Sequence, residues 1–207
     1  MTNMISHIRH RASQENAKNV SLWALNRILA RLGNDFFIFT WRVFFSWLPS
    51  MPGRWIRRVV LKLCLAESGV GLEIGEDVHI EYPRRMRLGN NVWFGRKCHI
   101  SAPGGITIGN DVMIAHDTCL ETAGHDIDPS QLLRKAKIVY GPITIGNNCW
   151  LGTRTTVLYN TTIGNNVIVA AGAVVVKDIP ENCVYGGIPA KKIKDFIPSL
   201  ASDPPQV

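Results

Sequence analysis

No stretch of this chain is apolar enough for long enough to cross a bilayer. Residues 36–48 hold ten apolar positions in 13, short of the roughly 20 a spanning helix needs, and Arg42 interrupts them. The first thirty residues lack the uninterrupted apolar core and small-residue cleavage site of a secretory signal, so none is expected. Cysteine is scarce, five residues without metal-type spacing, which argues against a disulfide framework and against a zinc site. Cys98 and Cys149 read as small packing residues in a reducing compartment, with Cys119 beside them, and a cytoplasmic protein is expected. Acidic residues are few at the front: residues 1–70 carry ten Lys or Arg against three Asp or Glu, whereas residues 71–207 carry thirteen of each. The positive excess comes without a nucleic-acid recognition motif. Nine of the 17 aromatic residues lie in the same front segment, between Trp23 and Trp55, as an apolar block that does not interleave with the cations, so no nucleic-acid partner is expected.

What is present is a rhythm of six. Ile145, Leu151, Val157, Ile163, Val169 and Val175 recur without a break, and Gly146, Gly152, Gly164 and Ala170 follow such aliphatics directly. Cys149, Thr155, Thr161, Val167 and Ala173 stand four places after them. Neither an amphipathic helix nor an alternating strand has this period. It fits a chain that turns a corner every six residues, with one aliphatic per face pointing into a narrow core and a permissive residue at each corner. Three faces make a coil of 18 residues in a triangular parallel β-helix. Earlier, the rhythm recurs with slips: Ile74 and Ile80, then Leu88, Phe94 and Ile100, then Ile108, Ile114 and Leu120. The 20-residue step from Leu88 to Ile108 reflects extra room at Pro103-Gly104-Gly105. Between Leu120 and Ile145 a segment over about 126–142 leaves the stack as a loop, where such solenoids carry specificity.

Three regions follow: a basic, aromatic-rich helical segment over 1–70, a β-helix domain over 71–185, and a tail over 186–207 with Lys191, Lys192 and Lys194. The spacing predicts helices over 20–32, 35–48 and 53–65, broken at Gly33-Asn34 and at residues 49–53. These helices suit two roles equally. They can cap the open end of the first coil, or lie on an anionic membrane surface as a peripheral contact through residues 20–65.

Residues 122–126 (TAGHD), 141–152 (GPITIGNNCWLG), 163–166 (IGNN), 171–180 (AGAVVVKDIP) and 187–191 (GIPAK) together closely resemble the hexapeptide-repeat O-acetyltransferases, both the maltose and galactoside enzymes and those of bacterial surface polysaccharide assembly. The resemblance covers about residues 72–194 and implies a left-handed β-helix, acetyl-CoA as co-substrate, a sugar or glycan acceptor and a homotrimer whose grooves are completed by neighbours. His125 matches the family's Gly-His position and is the expected general base, since a near-neutral imidazole suits removal of an alcohol proton. Asp126, Asp128 or Glu121 could orient it, with Asp126, its immediate neighbour, the first choice. The resemblance also implies a donor groove along Trp150, Thr153, Ala171 and Gly172, with Lys177, Lys191 and Lys194 near the phosphates. Two departures stand out. Val176 replaces a common Thr, and the family's Asn one coil before the His aligns with Gly95. His79, His99 and His116 read as lying on different repeat faces, and no metal is expected. Rival readings are a small-molecule acetyltransferase acting on serine, a free sugar or an antibiotic, and a non-catalytic β-helix scaffold.

Overall fold

Three parallel sheets, visited in turn, carry the chain round a triangular coil. The computed structural model describes residues 33–196. The first face stacks Glu67–Ser68, Met86–Leu88, Ile106–Ile108, Ile143–Ile145 and Thr161–Ile163. The second stacks Glu73–Ile74, Trp93–Phe94, Met113–Ile114, Trp150–Leu151, Val167–Val169 and Cys183–Gly186. The third stacks His79–Glu81, His99–Ser101, Cys119–Glu121, Thr156–Leu158 and Val174–Val175. Each short strand is unstable alone; pairing on both sides satisfies its backbone groups.

The six-residue rhythm maps directly onto the core. Ile145, Leu151, Val157, Ile163, Val169 and Val175 are all at most 1% exposed, and the small residues Cys149, Thr155, Thr161, Val167 and Ala173 are buried beside them. Each fully buried aliphatic contributes about 1.5–3 kcal/mol. Corners are turned somewhat differently from the expectation. The residue in the left-handed region is the third after the aliphatic, as at Asn148, Arg154, Asn160, Asn166 and Asn182, mostly Asn because its short polar side chain tolerates that conformation. The glycine directly after the aliphatic serves close approach: a Cβ on Gly152 would sit 2.6 Å from the Ala171 nitrogen. Asparagine ladders stitch the first-to-second corner, where the backbone N–H of Asn90, Asn110 and Asn147 donates to the side-chain oxygen of Asn110, Asn147 and Asn165 in turn.

Register records the slips. His79 pairs with His99 and Leu88 with Ile108, one coil being 20 residues long; Ile145 pairs with Ile163 at 18. Ile108 pairs with Ile145 across the extruded segment, so the stack is continuous there.

Two compact units divide the chain, residues 1–39 and 40–207. Residues 33–40 are helical, so the described helix begins at Gly33, two residues before the expected start at 35. The helix expected over 20–32 lies outside the described residues. A π-helical turn follows at Trp41–Phe45, and the last helix is Ser50–Cys64, not 53–65. Pro52 falls in its first turn, where the missing N–H would have had no partner.

Within the larger unit these helical residues close the first coil. Trp41, fully buried, donates its indole N–H to the Val78 carbonyl at 2.7 Å. Arg57, also fully buried, donates Nε–H to the Ile74 carbonyl at 3.1 Å and an Nη1–H to that of Leu48. The Asp77 N–H donates to the Ser46 carbonyl at 2.8 Å. An end coil otherwise presents unpaired peptide groups to solvent, and here they are taken by side chains and backbone of the cap. Burial lowers the Arg57 pKa from its usual value, yet the guanidinium stays charged and makes both bonds. At the other end, Lys191–Asp195 pairs antiparallel with Cys183–Gly186.

Candidate active site

The extruded segment is a two-stranded arm. Ala123–Asp126 pairs antiparallel with Lys137–Tyr140, and His125 lies opposite Ile138. Alternation along the ribbon sets Ala123, His125, Ile138 and Tyr140 on one face and Gly124, Asp126, Lys137 and Val139 on the other. The second face is seated on the coil. A Cβ at Gly124 would fall 2.2 Å from the Tyr159 ring, so only glycine lets that ring lie under the arm. His125 is therefore held by a paired strand with its face turned away from its own Tyr159, exposed beside Ile138 and Tyr140, which are 57% and 55% exposed.

None of the three candidate carboxylates is hydrogen-bonded to His125 within the described chain. Asp126 follows it in the strand and faces the other side of the ribbon. Asp128 accepts from the Ser130 N–H and hydroxyl at 2.8 and 2.7 Å and from Gln131 at 3.0 Å; these bonds hold its pKa below the ordinary carboxylate value and close the turn at the arm's tip. Glu121 accepts from the Ala123 N–H at 3.0 Å.

The residues expected on the donor side gather elsewhere. Trp150 lies on the second face between Met113 and Ile168, and with Trp93 these make an outward apolar row. Thr153 stands at the next corner, its carbonyl accepting from the Gly172 N–H at 2.9 Å. Gly172 has φ +72° with open space where a Cβ would be, and Ala171 is exposed beside it. Lys191 and Lys194 lie on the closing strand of the same face, opposite Gly186 and Val184. Lys177 is apart from them, exposed at the third-to-first corner. One chain thus brings Trp150, Thr153, Ala171, Gly172, Lys191 and Lys194 onto one side. It sets His125, Asp126 and Lys177 across the third face from them.

Two features escaped the sequence reading. Along Thr153's corner runs a groove of about 340 Å³ lined by Glu76, Asp77, Arg96, Lys97, His116, Asp117 and Thr153, which adds Arg96 and Lys97 as cations. His116 accepts at Nδ1 from the Arg96 N–H at 2.8 Å. A Cβ at Gly95 would lie 2.7 Å from that nitrogen, so His116 fills the place where a residue 95 side chain would go. The other feature is on the third face. His79 and His99 do not lie on different faces; they stack with ring centroids 4.8 Å apart and 11° between planes. The 20-residue coil brings them into phase, a spacing that a search at 18 misses. His79 contacts Glu81 at 3.1 Å, and the Ser101 hydroxyl donates to Glu81 at 3.4 Å. Glu121 is next in register after Ser101, so this polar row leads to the base of the arm. Burial first, and then repulsion from His79, lowers the pKa of His99. Among the described residues no three His, Cys, Asp or Glu side chains are grouped to hold a metal ion.

Residues 142–177 match the model described as bacterial transferase hexapeptide (six repeats). Over 153 residues the chain is 35% identical to a protein of Escherichia coli K12 named for colanic acid biosynthesis, the acetyltransferase WcaF; the match spans 74% of this chain and 81% of that one. It is 34% identical over 129 residues to the galactoside O-acetyltransferase of Escherichia coli K12, across 59% of this chain and 63% of that protein, slightly less than two thirds of its length. Among solved structures, a maltose O-acetyltransferase from Clostridium difficile 630 superposes with TM-score 0.72 at 28% identity, over 82% of this chain and 89% of that one. A galactoside acetyltransferase in complex with coenzyme A gives 0.70 at 29%, over 81% of each.

Proposed function

The chain belongs to the hexapeptide-repeat acetyltransferases, and from that premise we propose that it moves the acetyl group of acetyl-CoA to a sugar hydroxyl during assembly of a bacterial surface polysaccharide, with His125 as general base. The observation that carries this reading is the placement of His125 on a paired ribbon, exposed on the face opposite the one seated on Tyr159. Such a base needs a groove from elsewhere, and a homotrimer supplies one: His125 of one subunit meets acetyl-CoA held along the Trp150 side of the next. The apolar row Trp93, Met113, Trp150 and Ile168 suits the pantetheine arm, while Lys191 and Lys194, on the closing strand beyond Ile168, suit the phosphates. Lys177, on the other corner, would reach the donor only from the neighbouring subunit. The match to the colanic acid protein, which spans 81% of that protein against 63% of the galactoside enzyme, supports the polysaccharide acceptor.

The chemistry is a direct transfer. The acceptor oxygen attacks the thioester carbonyl carbon while an imidazole nitrogen of His125 takes its proton. The tetrahedral intermediate then collapses, the carbon–sulfur bond breaks, and the leaving thiolate takes the proton from the imidazolium. No acetyl-enzyme is required. The oxyanion cannot use Gly95: it lacks a side chain, and its N–H already donates to the Ile114 carbonyl at 2.7 Å. Another backbone N–H or a neighbouring subunit must serve.

His125→Ala should lower turnover by about two to four orders of magnitude, the usual range for a lost general base, with acetyl-CoA binding by calorimetry unchanged. Near-normal turnover would remove His125 from the role. Acetyl-CoA binding without turnover on any hydroxyl in a glycan panel would remove the sugar acceptor.

A further inference from the structure

The capping helix Ser50–Cys64 has a buried face and an apolar exposed one, and the cap needs only the first. Its inner face is buried through Gly53, Arg57 and Leu61. Met51, Trp55, Val59 and Leu63 then recur every fourth residue on the outer side and are 72%, 64%, 38% and 82% exposed. At 1.5 Å per residue that stripe runs about 18 Å. Arg54, Arg58 and Lys62 recur at the same spacing, one residue before Trp55, Val59 and Leu63, so a basic row runs beside the apolar one. The helix contains no acidic residue. A single carboxylate, Glu73, is shared by Arg54 and Arg58 at 3.8 Å each, which leaves the row net positive.

We propose that this outer face docks peripherally on an anionic lipid surface. An apolar stripe with an amphipathic Trp, flanked by cations and free of acids, matches the acyl boundary and phosphate headgroups of such a surface together. Among the described residues no helix is long and apolar enough to span a membrane, so the contact is interfacial. Pairing with a second copy is the poorer fit: it would set two basic rows side by side with no acid on either helix to offset them. The proposal is independent of the acetyl transfer reading.

The test is flotation of the full-length protein with vesicles of phosphatidylcholine, with and without phosphatidylglycerol, at low and high salt. Wild type should float with the anionic vesicles at low salt and not with the neutral ones. Trp55→Glu with Leu63→Glu, both exposed and so compatible with the fold, should reduce the bound fraction at least about tenfold. Melting temperature and turnover on a soluble acceptor should stay unchanged. Failure of wild type to float with anionic vesicles overturns the proposal. So does undiminished flotation of the double variant, which would assign the contact to another part of the chain. A fall in oligomeric mass of the variant without vesicles would assign the face to a second copy instead.

Discussion

At the scale of single residues, His99 shows how burial converts into pH dependence. Its folded pKa lies below the usual 6.5 because the ring is partly desolvated and faces His79. Above pH 6.5 the ring is neutral in both folded and unfolded chains, and its contribution to stability is fully present. As pH falls below 6.5 the unfolded chain takes the proton first, so stability drops until the lower folded value is passed. His99→Gln should therefore give a shallower fall in melting temperature between about pH 7 and pH 5. Identical slopes for the two proteins would mean that burial does not resist protonation of His99. Glu81 and Glu121, whose charges act the other way, remain in both proteins, so the comparison isolates the imidazole.

Among the elements, the arm is the one that carries the proposed base. Its seat is the close approach of Gly124 to the Tyr159 ring. A side chain at 124 must lift the ribbon or push the ring aside, and the ring is movable. Gly124→Val should thus leave the melting temperature within a few degrees of wild type while turnover falls at least about tenfold, because a shift of about 1 Å in a positioned base is costly. Adding Tyr159→Ala should restore part of the loss by vacating the space. Turnover unaffected by Gly124→Val would show that the seat does not position His125. The helical cap illustrates a different lesson for elements. The sequence suits capping and membrane contact equally; Trp41, Arg57 and Ser46 bonded to the first coil establish the cap, and of the helix Ser50–Cys64 it uses only the inner side, through Arg57.

For the whole molecule, the separation of His125 from Trp150 and Thr153 across the third face argues that one chain is an incomplete catalyst. The exposed partners of His125 on the arm, Ile138 and Tyr140, are apolar enough to lie at a subunit seam. Sedimentation equilibrium should give a mass of three chains. Ile138→Glu with Tyr140→Glu should shift it toward one chain at micromolar concentration and reduce turnover in parallel, since desolvated carboxylates in a seam are strongly unfavourable. A trimer that survives both charges would place the seam elsewhere.

The coil itself was determined by the sequence. Every aliphatic of the unbroken run is in the core, because a solenoid's contacts are between neighbouring coils and a local period suffices to specify them. The extruded arm and His125 were legible for the same reason, as an interruption of that period followed by a recognisable motif. What the tertiary structure decided were relations at other spacings. The His79–His99 stack and the row Glu81, Ser101, Glu121 depend on coils of 20 residues, and His116 filling the space beside Gly95 depends on how two corners meet. The side of the ribbon on which His125 stands depends on its pairing with Ile138. Period is a property of the chain taken six residues at a time. Which side chains share a face, and which are kept apart, is fixed only when coils of unequal length are stacked.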